Sequence, residues 1–130
     1  MELTKSDIEE INNECPSEQG VFVEPNGIPN SIKEPVVYMR WETGGVRGGG
    51  YHSDSNPRPY KNDEPKPKFK ALDLVLKKLK PTITYLEFRE IEGLIQSSET
   101  DDYGDYYGNK TDYAVEFIIL SDLLKALKLL

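Results

Sequence analysis

A chain of 130 residues with a formal net charge of −7 is sized for one domain with a modest core, and its sign argues against a general nucleic-acid binder, which needs a basic footprint. Charged residues make up 30% of the chain, and no apolar run approaches the ~20 residues that span a bilayer, so neither a membrane nor nucleic acid is an expected direct partner. Cys15 is the single cysteine, which excludes an intramolecular disulfide and a cysteine-based zinc cluster and fits a reducing cytosol.

The chain opens with MELTKSD, which lacks the basic and apolar regions of a secretory signal, so a cytoplasmic location is expected. Thr4-Lys-Ser-Asp7 has the form of a capping box, a hydroxyl at the N-cap and a carboxylate three residues on. Ile8 and Ile11 give the helix it opens one apolar edge, and Cys15-Pro16 ends it, since proline lacks a donor and restricts the residue before it. Residues 20–24 (GVFVE) predict a short strand, and 25–29 (PNGIP) a turn with Gly27 at positive φ. Residues 35–42 (PVVYMRWE) are the clearest early strand. Val37, Met39 and Trp41 share one of its faces, and Val36, Tyr38, Arg40 and Glu42 the other. Apolar residues on both faces predict a central strand covered on both sides.

Residues 43–67 show almost no periodic pattern and read as a long Gly/Pro-rich loop. Phe69, Leu72, Leu76 and Leu79 then recur at helical spacing, and Pro81 stops that helix. Thr84-Tyr-Leu-Glu87 is a second capping box, opening a helix with Leu86, Ile91, Leu94 and Ile95 expected on its buried side. Residues 97–110 (SSETDDYGDYYGNK) read as an acidic, tyrosine-rich loop. Residues 111–120 alternate as a strand, and Ser121 can cap a last helix over 122–130. The expected fold is a single α+β domain over residues 1–130, with a small, mostly antiparallel sheet of about three strands covered by three to four helices.

The pairing of RWETGG at 40–45 with YYGNKTDY at 106–113 resembles a family of small proteins encoded in bacteriophage and bacterial genomes. The resemblance runs from about Pro35 to the C-terminus. Family members often carry Ser-Cys-Trp after the second glycine pair, where this chain has Gly50-Tyr-His, so a thiol-dependent role does not carry over. The resemblance implies a genetic setting, a phage or mobile element acting in the cytoplasm of a bacterial host, and with it interference with host processes.

Two stretches carry the candidate chemistry. In RWETGGVRGGGYH, residues 40–52, glycine-freed amides can converge on an anion, with guanidinium groups adding charge. Arg40, Trp41, Gly44, Gly45, Arg47 and Gly48 are the candidate ligand-binding set, with Trp41 stacking on a base and the arginines gripping phosphate. The spacing matches neither GxxxxGK[ST] nor GxGxxG, and a flexible turn explains the glycines equally well. In the acidic stretch, Asp101, Asp102, Tyr103, Asp105, Tyr106 and Tyr107 are the candidate partner-binding set, because tyrosine is enriched at hot spots and aspartate steers toward basic surfaces. Inward-tucked tyrosines anchoring the loop are the structural alternative.

Metal and catalytic readings are weaker. His52, Asp54 and Glu42 make a poor zinc set with one histidine and no neighbouring cysteine. Adjacent Ser53, His52 and Asp54 cannot adopt triad geometry, and Cys15 sits at a helix end where the dipole raises its pKa. No metal, cofactor or catalytic residue is expected. The expected function is a non-enzymatic binding protein that antagonises a host antiviral-defence or regulatory factor by sequestering a phosphorylated small molecule such as a nucleotide signal. The rivals are an acidic protein inhibitor occupying the basic nucleic-acid site of a host enzyme, and a phage structural or assembly component, for which a homo-oligomer would be the natural state.

Overall fold

The computed structural model describes residues 3–43, 65–103 and 110–130, with the main chain alone at 101–103, 110 and 111. Helix α1 (Lys5–Glu14) starts where the capping box places it: Asp7 N–H donates to Thr4 Oγ1 and Thr4 N–H to Asp7 Oδ2, each at 3.0 Å. It stops at Cys15, ahead of Pro16. Strand β1 (Gln19–Phe22) is shorter and one residue earlier than the sequence suggests. Its register ends at Phe22↔Val36, and the chain then leaves the sheet. Strand β2 (Val36–Glu42) follows, then α2 (Lys70–Leu79), α3 (Tyr85–Leu94), β3 (Gln96–Tyr103), β4 (Lys110–Ile119) and α4 (Leu120–Ala126).

The sheet has four strands in the order β1-β2-β4-β3, all antiparallel. The expected count of about three is therefore one short, and β3 is the strand that was missed. Its sequence, QSSETDDY, lacks the β-branched and aromatic density that marks a strand. It forms because β4 offers a ten-residue partner, and ladder bonds satisfy the main chain whatever the side chains are.

Alternation on the two central strands creates two apolar faces. Val21, Val37 and Ile118 meet Ile11, Val75, Ile91 and Leu123 from the helices in the larger core. Val36, Tyr38, Val115 and Phe117 form the second core, which Ile28 and Ile32 cover from the opposite side. Full burial of each such side chain contributes about 1.5–3 kcal/mol, so two covered faces give a chain of this size its core. Residues 23–35 thus act as a strap over the face the helices leave open. Tyr38 Oη donates to the Asn26 carbonyl at 2.6 Å and Ser98 Oγ to the Gly27 carbonyl at 2.7 Å.

Two expectations for the helices need correction. Leu86 is 78% exposed, because it lies five residues, about 140° around the helix, from the fully buried Ile91. Helix α4 begins at Leu120 rather than after Ser121, whose hydroxyl donates instead to the Glu34 carboxylate. Among the described residues no helix is long and apolar enough to cross a membrane.

Candidate functional site

Strand β2 carries the start of the glycine-rich stretch. Arg40 and Trp41 are consecutive on it, so they project to opposite faces of the sheet. Trp41, partly buried, pairs in register with Ala114 on the helix side. Arg40 lies on the strap side, with its side chain 12% exposed. Its Nη1 meets Glu18 Oε2 at 2.9 Å, and its guanidinium carbon lies 3.7 Å from the centroid of the Tyr113 ring. The Arg40 N–H also donates to the Glu18 carbonyl at 3.0 Å. Glu18 holds a left-handed conformation, φ 71°, that places both its carbonyl and its carboxylate against Arg40. Arg40 is therefore a joint between the turn before β1 and the sheet. Gly44, Gly45, Arg47 and Gly48 lie outside the described residues, as does His52 and nearly all of the 43–67 stretch.

The acidic set divides in the same way. Asp101, Asp102 and Tyr103 belong to β3, in register with Asp112, Thr111 and Lys110, while Asp105, Tyr106 and Tyr107 lie outside the described residues. The described part of this stretch is thus an edge strand and not a loop. Ser97 and Glu99 are exposed on the helix face of the sheet, in register with Glu116 and Ala114, whereas Ser98 and Thr100 turn toward the strap. Glu116, beside Ser97 in register, is held by Lys66 at 2.8 Å.

Which main-chain groups of β3 face outward follows from one bond. Thr43 N–H donates to the Asp112 carbonyl at 2.9 Å. Antiparallel alternation then aims the amides and carbonyls of Asp112, Ala114, Glu116 and Ile118 at β2, and those of Tyr113, Val115 and Phe117 at β3. On β3, Gln96, Ser98 and Thr100 consequently bond to β4, and Ser97, Glu99, Asp101 and Tyr103 present N–H and C=O to the outer edge.

The opposite edge of the sheet is closed. Val21 N–H donates to Asn12 Oδ1 at 2.8 Å, and Asn12 Nδ2 donates to the Val21 carbonyl at 3.2 Å. Gln19, 5% exposed, is the neighbouring outward residue of β1. Its amide bridges the Ala71 N–H and the Lys68 carbonyl, each at 3.0 Å, and so ties the entry of α2 to the sheet. Sequence reasoning missed Asn12, Glu18, Gln19 and Tyr113. Only Tyr113 left a trace, in its alternation with Val115 and Phe117.

Other features offer little chemistry. Burial pushes the Cys15 thiol up, which disfavours the thiolate. A cleft of about 170 Å³ within the strap, between Glu24, Ile28, Ile32 and Lys33, is smaller than the roughly 300 Å³ at which small-molecule sites begin. Among the described residues no three His, Cys, Asp or Glu side chains converge as a metal centre requires.

Comparison with protein-family models, with curated proteins and with solved structures finds no match to this chain.

Proposed function

We propose that the protein is a non-enzymatic binding protein that meets a basic partner protein through the acidic β3 side of its sheet. One arrangement supports this reading above others. An eight-residue edge strand made of Gln, Ser, Glu, Thr and Asp up to Tyr103 is held in place by its main chain, while its exposed side chains add little to the core. The side chains that such a strand exposes are therefore available to meet a partner. Acidic residues concentrated there, on a chain of net charge −7, accelerate encounter with a cationic surface and fix its orientation.

The phage-family resemblance supplies the setting. In it the partner is a host antiviral-defence or regulatory factor whose basic nucleic-acid site the acidic strand occupies. This reading stands ahead of sequestration of a phosphorylated small molecule, because Arg40 is already engaged by Glu18 and Tyr113 and Trp41 lies on the other face.

Affinity capture from bacterial lysate tests it with two variants of equal charge. Glu99→Gln/Asp101→Asn/Asp102→Asn removes three charges from β3. Glu9→Gln/Glu14→Gln/Glu90→Gln removes three from exposed helix positions. A protein retained by the parent and the helix variant, lost by the β3 variant and released by salt, is the expected result. Equal retention by both variants overturns the proposal.

A further inference from the structure

The two edges of the sheet are finished differently. At β1 the Asn12 carboxamide takes up the outward N–H and C=O of Val21, as a neighbouring strand would. At β3 no described strand or side chain takes up the outward groups of Ser97, Glu99, Asp101 and Tyr103. A strand edge of this length is a template for another strand, and proteins commonly shorten, cover or charge such edges to stop indiscriminate pairing.

We infer that the β3 edge is a strand-addition site for an extended basic segment with Lys or Arg at every second position; the inference rests on the acidic-surface reading above and specifies its geometry. In an added antiparallel strand, the residues whose N–H and C=O face Ser97, Glu99 and Asp101 also share their face of the sheet. Directly opposed residues have Cβ atoms about 4.5–5.5 Å apart, close enough for a Lys ammonium to meet the exposed Glu99 carboxylate. The residues in between face the polar Ser98–Thr100 side beside the strap and need no charge. Main-chain bonds supply affinity in this mode, and the alternating cations supply selectivity. A second copy of this chain is the wrong occupant: the two longest antiparallel registers of β3 against β3 set Glu99 opposite Asp101 or opposite a second Glu99, and like charges directly opposed destabilise a strand pair.

The test uses the full chain and three ten-residue peptides alternating Lys and Thr, blocked at both ends. One is unmodified, one is N-methylated at the Lys amides and one at the Thr amides, so all three carry the same charge. Strand addition places the Lys amides toward β3 and the Thr amides away from it. The unmodified and Thr-methylated peptides are expected to bind alike, with the Lys-methylated peptide at least tenfold weaker. Binding to Glu99→Gln/Asp101→Asn is expected to drop several-fold for the first two. Three equal affinities, or no measurable binding of any peptide, overturn strand addition. Salt-sensitive capture of a host protein that depends on β3 would survive that outcome, so the two proposals fail separately.

Discussion

The side-chain amide of Asn12 grips both main-chain groups of Val21, one on each side of the amide, at 2.8 and 3.2 Å. It anchors α1 to the sheet and closes the β1 edge at the same time. Asn12→Ala leaves a backbone donor and an acceptor without their partner, each worth about 1–3 kcal/mol when buried, and the lower figure applies because the site is part-buried. Gly20 beside it takes φ +157°, and a Cβ there would stand 2.4 Å from Asn12 Oδ1 and 2.7 Å from Phe22 Cζ. Gly20→Ala is therefore expected to destabilise at least as much as Asn12→Ala. Urea unfolding of both variants reads this directly, and midpoints equal to the parent's would remove Asn12 from the edge.

Gly27 holds the strap on the sheet. Its φ is +93°, and a Cβ would lie 2.6 Å from Val115 Cγ2 and 3.0 Å from Thr100 Cγ2. Gly27→Ala is expected to lower stability by about 1–3 kcal/mol, the usual scale for a strained residue, and the thermal midpoint by roughly 4 °C per kcal/mol. Near-ultraviolet circular dichroism should change along with it, since Tyr38 and Phe22 lie under the strap, 5.9 Å apart edge to face. A variant that melts with the parent would mean that the strap rests on the sheet without being fitted to it.

Acid should weaken the two capping boxes. The Lys80 ammonium, with the Thr84 N–H second, holds the Glu87 carboxyl down to about 2 from its ordinary 4.5. The Thr4 N–H and hydroxyl hold Asp7 below its usual range in the same way. For both groups the folded value lies below the unfolded one, so each contribution is present above the unfolded value and is lost as pH falls through the folded one, for Glu87 between about 4.5 and 2. Thermal midpoints measured between pH 6 and 2 should fall, and Glu87→Gln should flatten part of that dependence while lowering the midpoint at neutral pH. An identical pH profile for parent and variant would contradict the assignment.

Arg40 is expected to act on stability first. Its stacking on Tyr113 contributes about 0.5–2 kcal/mol, depending on desolvation. The ion pair adds less, since the Glu18 side chain is 46% exposed. Arg40→Lys keeps the charge but loses the planar group that stacks, so it should recover little of what Arg40→Ala loses. A double-mutant cycle with Tyr113→Leu measures the coupling. A coupling near zero would return Arg40 to the list of groups available to a ligand.

The sequence made the helices and central strands legible for local reasons. Thr4-Lys-Ser-Asp7 and Thr84-Tyr-Leu-Glu87 state their own hydrogen bonds, and the residues of 35–42 alternate between two apolar faces. What stayed hidden depends on partners distant in the chain. Strand β3 has no strand-like composition of its own, and only the length of β4 across from it shows why it extends. Asn12, nine residues from Val21, reads as an ordinary polar helix residue until the sheet edge is placed beside it. Arg40 looked available for phosphate because Glu18 and Tyr113 meet it only after β1, β2 and β4 have assembled. The candidate sites were legible as stretches, and their roles depended on which edge or face each stretch occupies.

Amide hydrogen exchange of the whole chain, free and in the complex recovered by affinity capture, tests recognition through the β3 edge most directly. Exchange reports each amide's protection, so it separates an edge that becomes hydrogen-bonded from one that is merely near a partner. The outward amides of Ser97, Glu99 and Asp101 should slow markedly in the complex, while Gln96, Ser98 and Thr100, already bonded to β4, should change less. Protection confined to the β2 end around Arg40 to Thr43, with Gln96–Tyr103 exchanging as in the free protein, would contradict recognition at this edge.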